Sequence, residues 1–184
     1  RIAEKKLQIL LVKRMDGGGW SLPGGHVESE DKTLWDAAKR ETKEETDISG
    51  LDRAFSASLL RHVPVADWRM TAQSWPETSV FLSILTYKEG LPLLPKGRSD
   101  ATEAAWMCVA GDKDWKGVHF DNLFASHNSY VKLAILSWQE LTGYVVRSDG
   151  VVGKSPPFER VLNSFLTVRS LLVNTLTKFG REKT

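Results

Sequence analysis

The 184-residue chain holds a single cysteine, Cys108, so no disulfide can close within it, and a reducing compartment is expected. Long apolar runs are missing as well; none approaches the roughly 20 residues that a membrane-spanning helix requires. Nor does either charge dominate. Lys and Arg number 25 against 23 Asp and Glu, a formal +2, so composition gives no pull toward nucleic acid or a membrane surface. Repeats and low-complexity tracts are absent too. What is present, 41% hydrophobic and 26% charged residues, is the composition of a globular chain long enough to bury a real core. The first residues, RIAEKK, stand directly before an apolar run and without a Met. A preceding segment, and any targeting signal in it, is therefore expected to have been trimmed, and a cytoplasmic location is expected.

Along the chain, LQILLVKR reads as a buried strand that ends at the glycine-rich turn MDGGG. A short extended piece with LPGG follows, then a helix over 33–46. AFSASLLRHVPVA and SVFLSILTYK read as strands separated by the loop DWRMTAQSWPET, and AAWMCVA as another strand after a Pro- and Gly-rich loop. Leu123, Tyr130, Val131, Ala134, Ile135 and Trp138 fall at helical spacing, with Gly143 as a C-cap. GYVVRSDGVVGK suggests a small hairpin. In the segment 158–179, Val161, Leu162, Phe165, Val168, Leu171, Leu172 and Leu176 also recur at helical spacing, which predicts a C-terminal helix. Such a helix would either pad the core or form a homodimer interface, and its broad apolar face favours the interface. Strands mixed with helices predict an α/β sandwich with a mixed sheet.

The helix over 33–46 poses the chemical question. At about 100° per residue, Ala38, Glu41 and Glu45 fall close to Leu34, and Glu44 lies beside Ala37, while Asp36, Lys39, Arg40 and Lys43 take the other side. Three carboxylates on an apolar face repel one another and cost far more when buried, unless a counter-charge holds them. A hard divalent cation bound by oxygen resolves the conflict, with Mg²⁺ the default and Mn²⁺ a substitute. The two glycines of LPGG let backbone approach a ligand, and Arg40 can pair with Glu44 or fix a neighbouring carboxylate with its planar fork. Loop, carboxylates and cation together suit hydrolysis of a phosphate anhydride. A solvated Glu- and Lys-rich helix is the plainer reading of the helix taken alone.

The stretch GWSLPGGHVESEDKTLWDAAKRETKEETDI resembles the signature of the Nudix hydrolases. Gly25 matches its first glycine, Arg40–Glu41 its Arg-Glu pair, Glu44–Glu45 its paired glutamates and Ile48 its final aliphatic residue. The resemblance implies a Nudix-type α/β/α sandwich with a mixed sheet, in a domain over 1–153 whose first strand is cut short; the helix read from the apolar spacing has no counterpart in it and makes 154–184 a helical extension. It implies a small-molecule nucleotide substrate, with Glu41, Glu44 and Glu45 as metal ligands, Gly25 offering backbone beside them and Arg40 orienting the cluster. The general base is left open among Glu41, Glu44 and a loop glutamate such as Glu77. Three departures stand out. Gly25 to Arg40 is one residue longer than the signature, which makes Asp31 the match for its lone glutamate. Thr42 replaces an aliphatic residue, and Asp47 replaces the glycine that ends the helix, a place where Asp tolerates the left-handed conformation.

Substrate choice lies outside the motif. Trp20, Trp68 and Trp75 lie in or beside expected loops, where a ring could stack on a base, although core packing is the commoner role. Arg14, Arg69 and Glu77 are the further substrate-binding candidates. KGRSDATEAAWM is similar to a segment of ADP-ribose-type members, which favours ADP-ribose or an NDP-sugar. A nucleoside triphosphate pyrophosphatase and a non-catalytic nucleotide-binding module are the alternatives, and capped RNA is disfavoured by the near-neutral charge. His62, His119 and His127 are too scattered for a metal site, and Cys108 reads as core.

Overall fold

A computed structural model describes residues 7–51, 57–65, 70–86, 93–109, 122–146, 152–154 and 168–181. The apolar run near the start forms β1 (Gln8–Arg14), whose four residues Ile9–Val12 are all buried. A strand buried on both faces has no polar side, which is why its sequence shows no alternation. Ile9 and Leu11 join the main core, whereas Leu10 packs with Ile48 and Leu51 on the opposite face.

Then come β2 (Trp20–Ser21), α1 (Leu34–Thr46), β3 (Ala57–Pro64), β4 (Ser74–Thr86), β5 (Ala101–Cys108), α2 (His127–Thr142), β6 (Tyr144–Val146), β7 (Val152–Lys154) and β8 (Val168–Arg181). A six-stranded mixed sheet runs β2-β1-β8-β4-β3, with β5 on the other edge of β1. Among the described residues only the β1–β8 pairing is parallel. α1 covers one face, where Ala37 and Ala38 meet Phe81 of β4. α2 covers the other, where Tyr130, Val131, Ala134 and Trp138 pack with Val80, Leu82 and Ile84. The expected α/β/α sandwich with a mixed sheet is therefore observed. β6 and β7 pair as the expected hairpin, and Gly143 caps α2 in the left-handed conformation at φ 67°.

Two expectations change. Residues 168–181, read as the last part of a helix, form β8 at the centre of the sheet; 158–167 lie outside the described residues. The helical spacing is real, but β-branched Val168, Val173, Thr175 and Thr177 favour extended backbone, and short apolar runs fit both periods. This segment is thus part of the sheet, and it offers no helical face for a homodimer. β4 also starts earlier than expected, so Trp75 and Glu77 are strand residues instead of loop residues. Backbone pairing to β8 over 74–78, joined by β3 at Glu77 and Thr78, draws this segment into the sheet.

Candidate functional site

The site is built from the turn after β2 and from α1. Thr33 caps α1, its Oγ1 accepting from the Asp36 N–H at 3.1 Å. At the other end Asp47 takes the left-handed conformation (φ 60°) that its replacement of glycine requires, and its N–H donates to the Lys43 carbonyl at 2.9 Å. Thr42 is fully buried, with its hydroxyl donating to the Ala38 carbonyl. Both substitutions in the helix are accommodated.

The three glutamates are not equally placed. Glu45 is 6% exposed, the Glu41 side chain is mostly buried and Glu44 is largely exposed. Glu44 therefore leaves the apolar face on which the spacing put it; at about 80° from Leu34 it lies at the margin. The Gly24 N–H donates to Glu45 Oε2 at 2.8 Å. Gly25 stands against Glu41 so closely that a Cβ would lie 2.5 Å from its Oε1. The glycine pair thus brings backbone against two carboxylates, and a side chain at Gly25 would displace the Glu41 carboxylate.

Arg40 organises the rest. Its Nε and Nη2 donate to both oxygens of Asp31 at 3.1 and 2.9 Å, its Nη2 also to the His26 carbonyl at 2.8 Å. Its Nη1 meets Glu41 Oε1 at 3.0 Å and Glu44 Oε2 at 3.2 Å. The fork holds Asp31 below the usual carboxylate range. Asp31 accordingly anchors Arg40, despite the extra residue between Gly25 and Arg40.

One member of the cluster was missed in the sequence. The loop before β5 docks on the end of α1: the Lys96 N–H donates to the Thr46 carbonyl and the Arg98 N–H to the Glu45 carbonyl, at 2.9 and 3.1 Å. These donors satisfy carbonyls that a helix end leaves open. Gly97 is needed there, since a Cβ would overlap the Glu103 backbone. The loop thereby delivers Asp100, whose carboxylate acts electrostatically on Glu45. Burial, reinforced by Asp100 and Glu41 and opposed by the Gly24 N–H, pushes Glu45 up to about 8. Burial also raises Glu41, against the pull of Arg40. No local spacing links positions 45 and 100, and the only signal was a carboxylate in a loop already singled out.

Arg14 of β1 forks Asp16, its Nε 3.0 Å from Oδ1, lies 4.1 Å over the Phe124 ring and feels the carboxylates of Asp100 and Glu45. Trp20 packs against the main core. Glu77 bonds His62 and Trp75. Arg69, Trp68 and His119 lie outside the described residues. His127 is structural, as expected: its Nδ1 accepts from the Leu22 N–H at 2.9 Å, and burial lowers its pKa to about 4. A groove of about 670 Å³ adjoins Glu44, lined by Arg40, Lys43, Glu44, Asp47, Arg98 and Ser99.

Among the described residues no three His, Cys, Asp or Glu side chains stand together in a geometry ready for a metal ion; Arg40 Nη1 lies between Glu41 and Glu44. The donor chemistry nevertheless fits a hard divalent cation. Glu41, Glu45 and Asp100 supply oxygen donors, and burial holds Glu41 and Glu45 toward protonation.

A family model for the NUDIX domain matches residues 2–119, which contain β1–β5 and α1. The chain belongs to the Nudix family, hydrolases of phosphoric anhydride bonds that act on nucleoside diphosphate derivatives. Among curated proteins no relative matches it. Enzymes of the family generally use divalent metals, and no helix among the described residues is long and apolar enough to cross a membrane.

Proposed function

We propose that this chain cleaves the diphosphate of a nucleoside diphosphate derivative in a Mg²⁺-dependent reaction, with ADP-ribose or an NDP-sugar as the favoured substrate and Mn²⁺ as a substitute ion. The observation that carries this reading is Glu45, buried against Asp100 and Glu41 with its carboxyl raised to about 8. So costly an arrangement on a core-facing helix is explained by a cation that takes the proton's place. Glu41, Glu44 and Glu45 would hold the ion, with the Gly25 backbone beside them and Arg40, whose Nη1 bridges Glu41 and Glu44, orienting those two carboxylates. A bound cation neutralises the diphosphate and lowers the pKa of an attacking water. Glu41 or Glu44, on the same helix as the other proposed ion ligands, would take the proton of that water. Arg14, already near Glu45, supplies positive charge to a substrate phosphate.

The test is a panel of nucleotides with Mg²⁺, scored for nucleoside monophosphate against pyrophosphate. AMP released from ADP-ribose is the expected result. Pyrophosphate from triphosphates would instead establish the triphosphate pyrophosphatase reading. Nucleotide binding with no turnover of any compound would make the chain a regulatory module.

A further inference from the structure

A second polar cluster lies on the sheet, in residues that the carboxylate site does not use. Trp75 Nε1 donates to Glu77 Oε1 at 3.3 Å, and His62 Nε2 meets Glu77 Oε2 at 3.2 Å. The other ring nitrogen, His62 Nδ1, bonds the Ser79 hydroxyl at 2.7 Å. A carboxylate only accepts, so Nε2 carries the proton that meets Glu77, and Nδ1 of the neutral ring accepts from Ser79. Glu77 is thus held in orientation by two N–H groups on its two oxygens. A carboxylate has about four lone-pair sites, so acceptor capacity remains. The group is also open, with Glu77 26% and His62 42% exposed.

Strand register shows where this cluster points. Successive strand residues alternate between faces. Phe81 faces α1, so Ser79 and Glu77 share that face, and His62 stands opposite Ser79 on β3. β1 pairs with β8 at Ile9↔Leu171, and Leu171 pairs with Ile84 of β4. Five residues on from Ile9 is Arg14; five residues back along antiparallel β4 is Ser79, and Glu77 lies two further. The cluster therefore occupies the same face and the same end of the sheet as Arg14 and the carboxylates. Its offset is on the order of 7 Å along the strands and 10 Å across them. β1 pairs with β8 only at Gln8 and Ile9 before turning to β2, so the sheet parts between the two groups at that end.

We propose that Trp75, Glu77 and His62 form the subsite that reads the nucleoside part of the substrate. Glu77 accepts two adjacent hydrogen-bond donors, and the Trp75 ring lies against the base. Two parts of a nucleoside offer such a donor pair, the ribose diol and the amino–imide edge of guanine. The assignment rests on the reading of the carboxylate site as a nucleoside diphosphate hydrolase, but its test does not depend on turnover.

Nucleoside monophosphates are titrated calorimetrically into the cation-free full chain, comparing GMP with IMP, which lacks the amino group, and with dGMP, which lacks a diol hydroxyl. Wild type is expected to bind GMP at least about tenfold more tightly than one of the two analogues, and which one identifies the donor pair. Glu77→Gln is expected to lower GMP affinity by about that factor while leaving the analogue's unchanged, which erases the preference. Trp75→Phe, which keeps a ring but loses the N–H, gives a second reading with a partial loss of the same preference, should Glu77→Gln fail to fold. The proposal is overturned if wild type binds none of these ligands or shows no preference. It is equally overturned if the folded variant keeps the preference or weakens all three ligands alike. Nucleoside preference without cleavage of any anhydride would refute the hydrolase reading and leave this subsite standing.

Discussion

Burying Glu45 beside Asp100 and Glu41 makes one side chain the electrostatic pivot of the site. Glu45→Gln keeps an acceptor for the Gly24 N–H and removes the charge. Turnover at saturating Mg²⁺ is expected to fall at least about a hundredfold, with the melting temperature unchanged or slightly raised. A near-normal rate would place the metal elsewhere. Arg40→Lys replaces a planar fork, which reaches Asp31, Glu41 and Glu44 at once, with a single ammonium. Activity and Mg²⁺ affinity should both fall by about 10- to 100-fold, measured as kcat and as the Mg²⁺ concentration for half-maximal rate. The grouping of Arg40, Glu41, Glu44 and Glu45 was legible from spacing, because they share one helix whose geometry is fixed by a few residues; the roles proposed for them come from the family resemblance. Asp100 was not legible, since only the folded loop brings it 55 positions along the chain to Glu45.

Elements divide the same way. α1 and α2 were read to within a few residues because period, cap and stop signal agree locally, down to Thr33 at one end and Gly143 at another. β8 was misread because its identity is decided by β4 and β1, roughly 90 and 160 positions away. Its central place carries a direct expectation. A chain ended at Gly153 loses the strand between β1 and β4, and it should show no cooperative thermal transition by circular dichroism. A truncated chain that melts cooperatively near the wild-type temperature would contradict the β8 pairing.

Across the whole molecule, two buried groups set opposite limits on pH stability. Glu45 titrates near 8 when folded and near its ordinary 4.5 when unfolded, so the folded state holds the extra proton in between. Cation-free stability therefore falls as pH rises from about 4.5 to about 8. His127 is lowered to about 4 from 6.5, so the unfolded state takes up the proton first, and stability falls as pH drops through that window. Melting temperatures measured without divalent cation should be highest and nearly level between about pH 4.5 and 6.5, where the two slopes cancel, and fall on either side. If Glu45 holds the ion as proposed, Mg²⁺ should flatten the alkaline limb alone, since it would replace the Glu45 proton and leave His127 untouched. The pairing of β8 with both β1 and β4 has one more consequence, for synthesis on the ribosome. The acidic helix and the strands around it emerge well before residues 168–181. At about 5–20 residues per second, the nascent chain spends seconds with two apolar strand edges open and their partner not yet made. Such edges invite pairing with other chains, so yield in a cell should depend on chaperone supply more than the stability of the finished molecule would suggest.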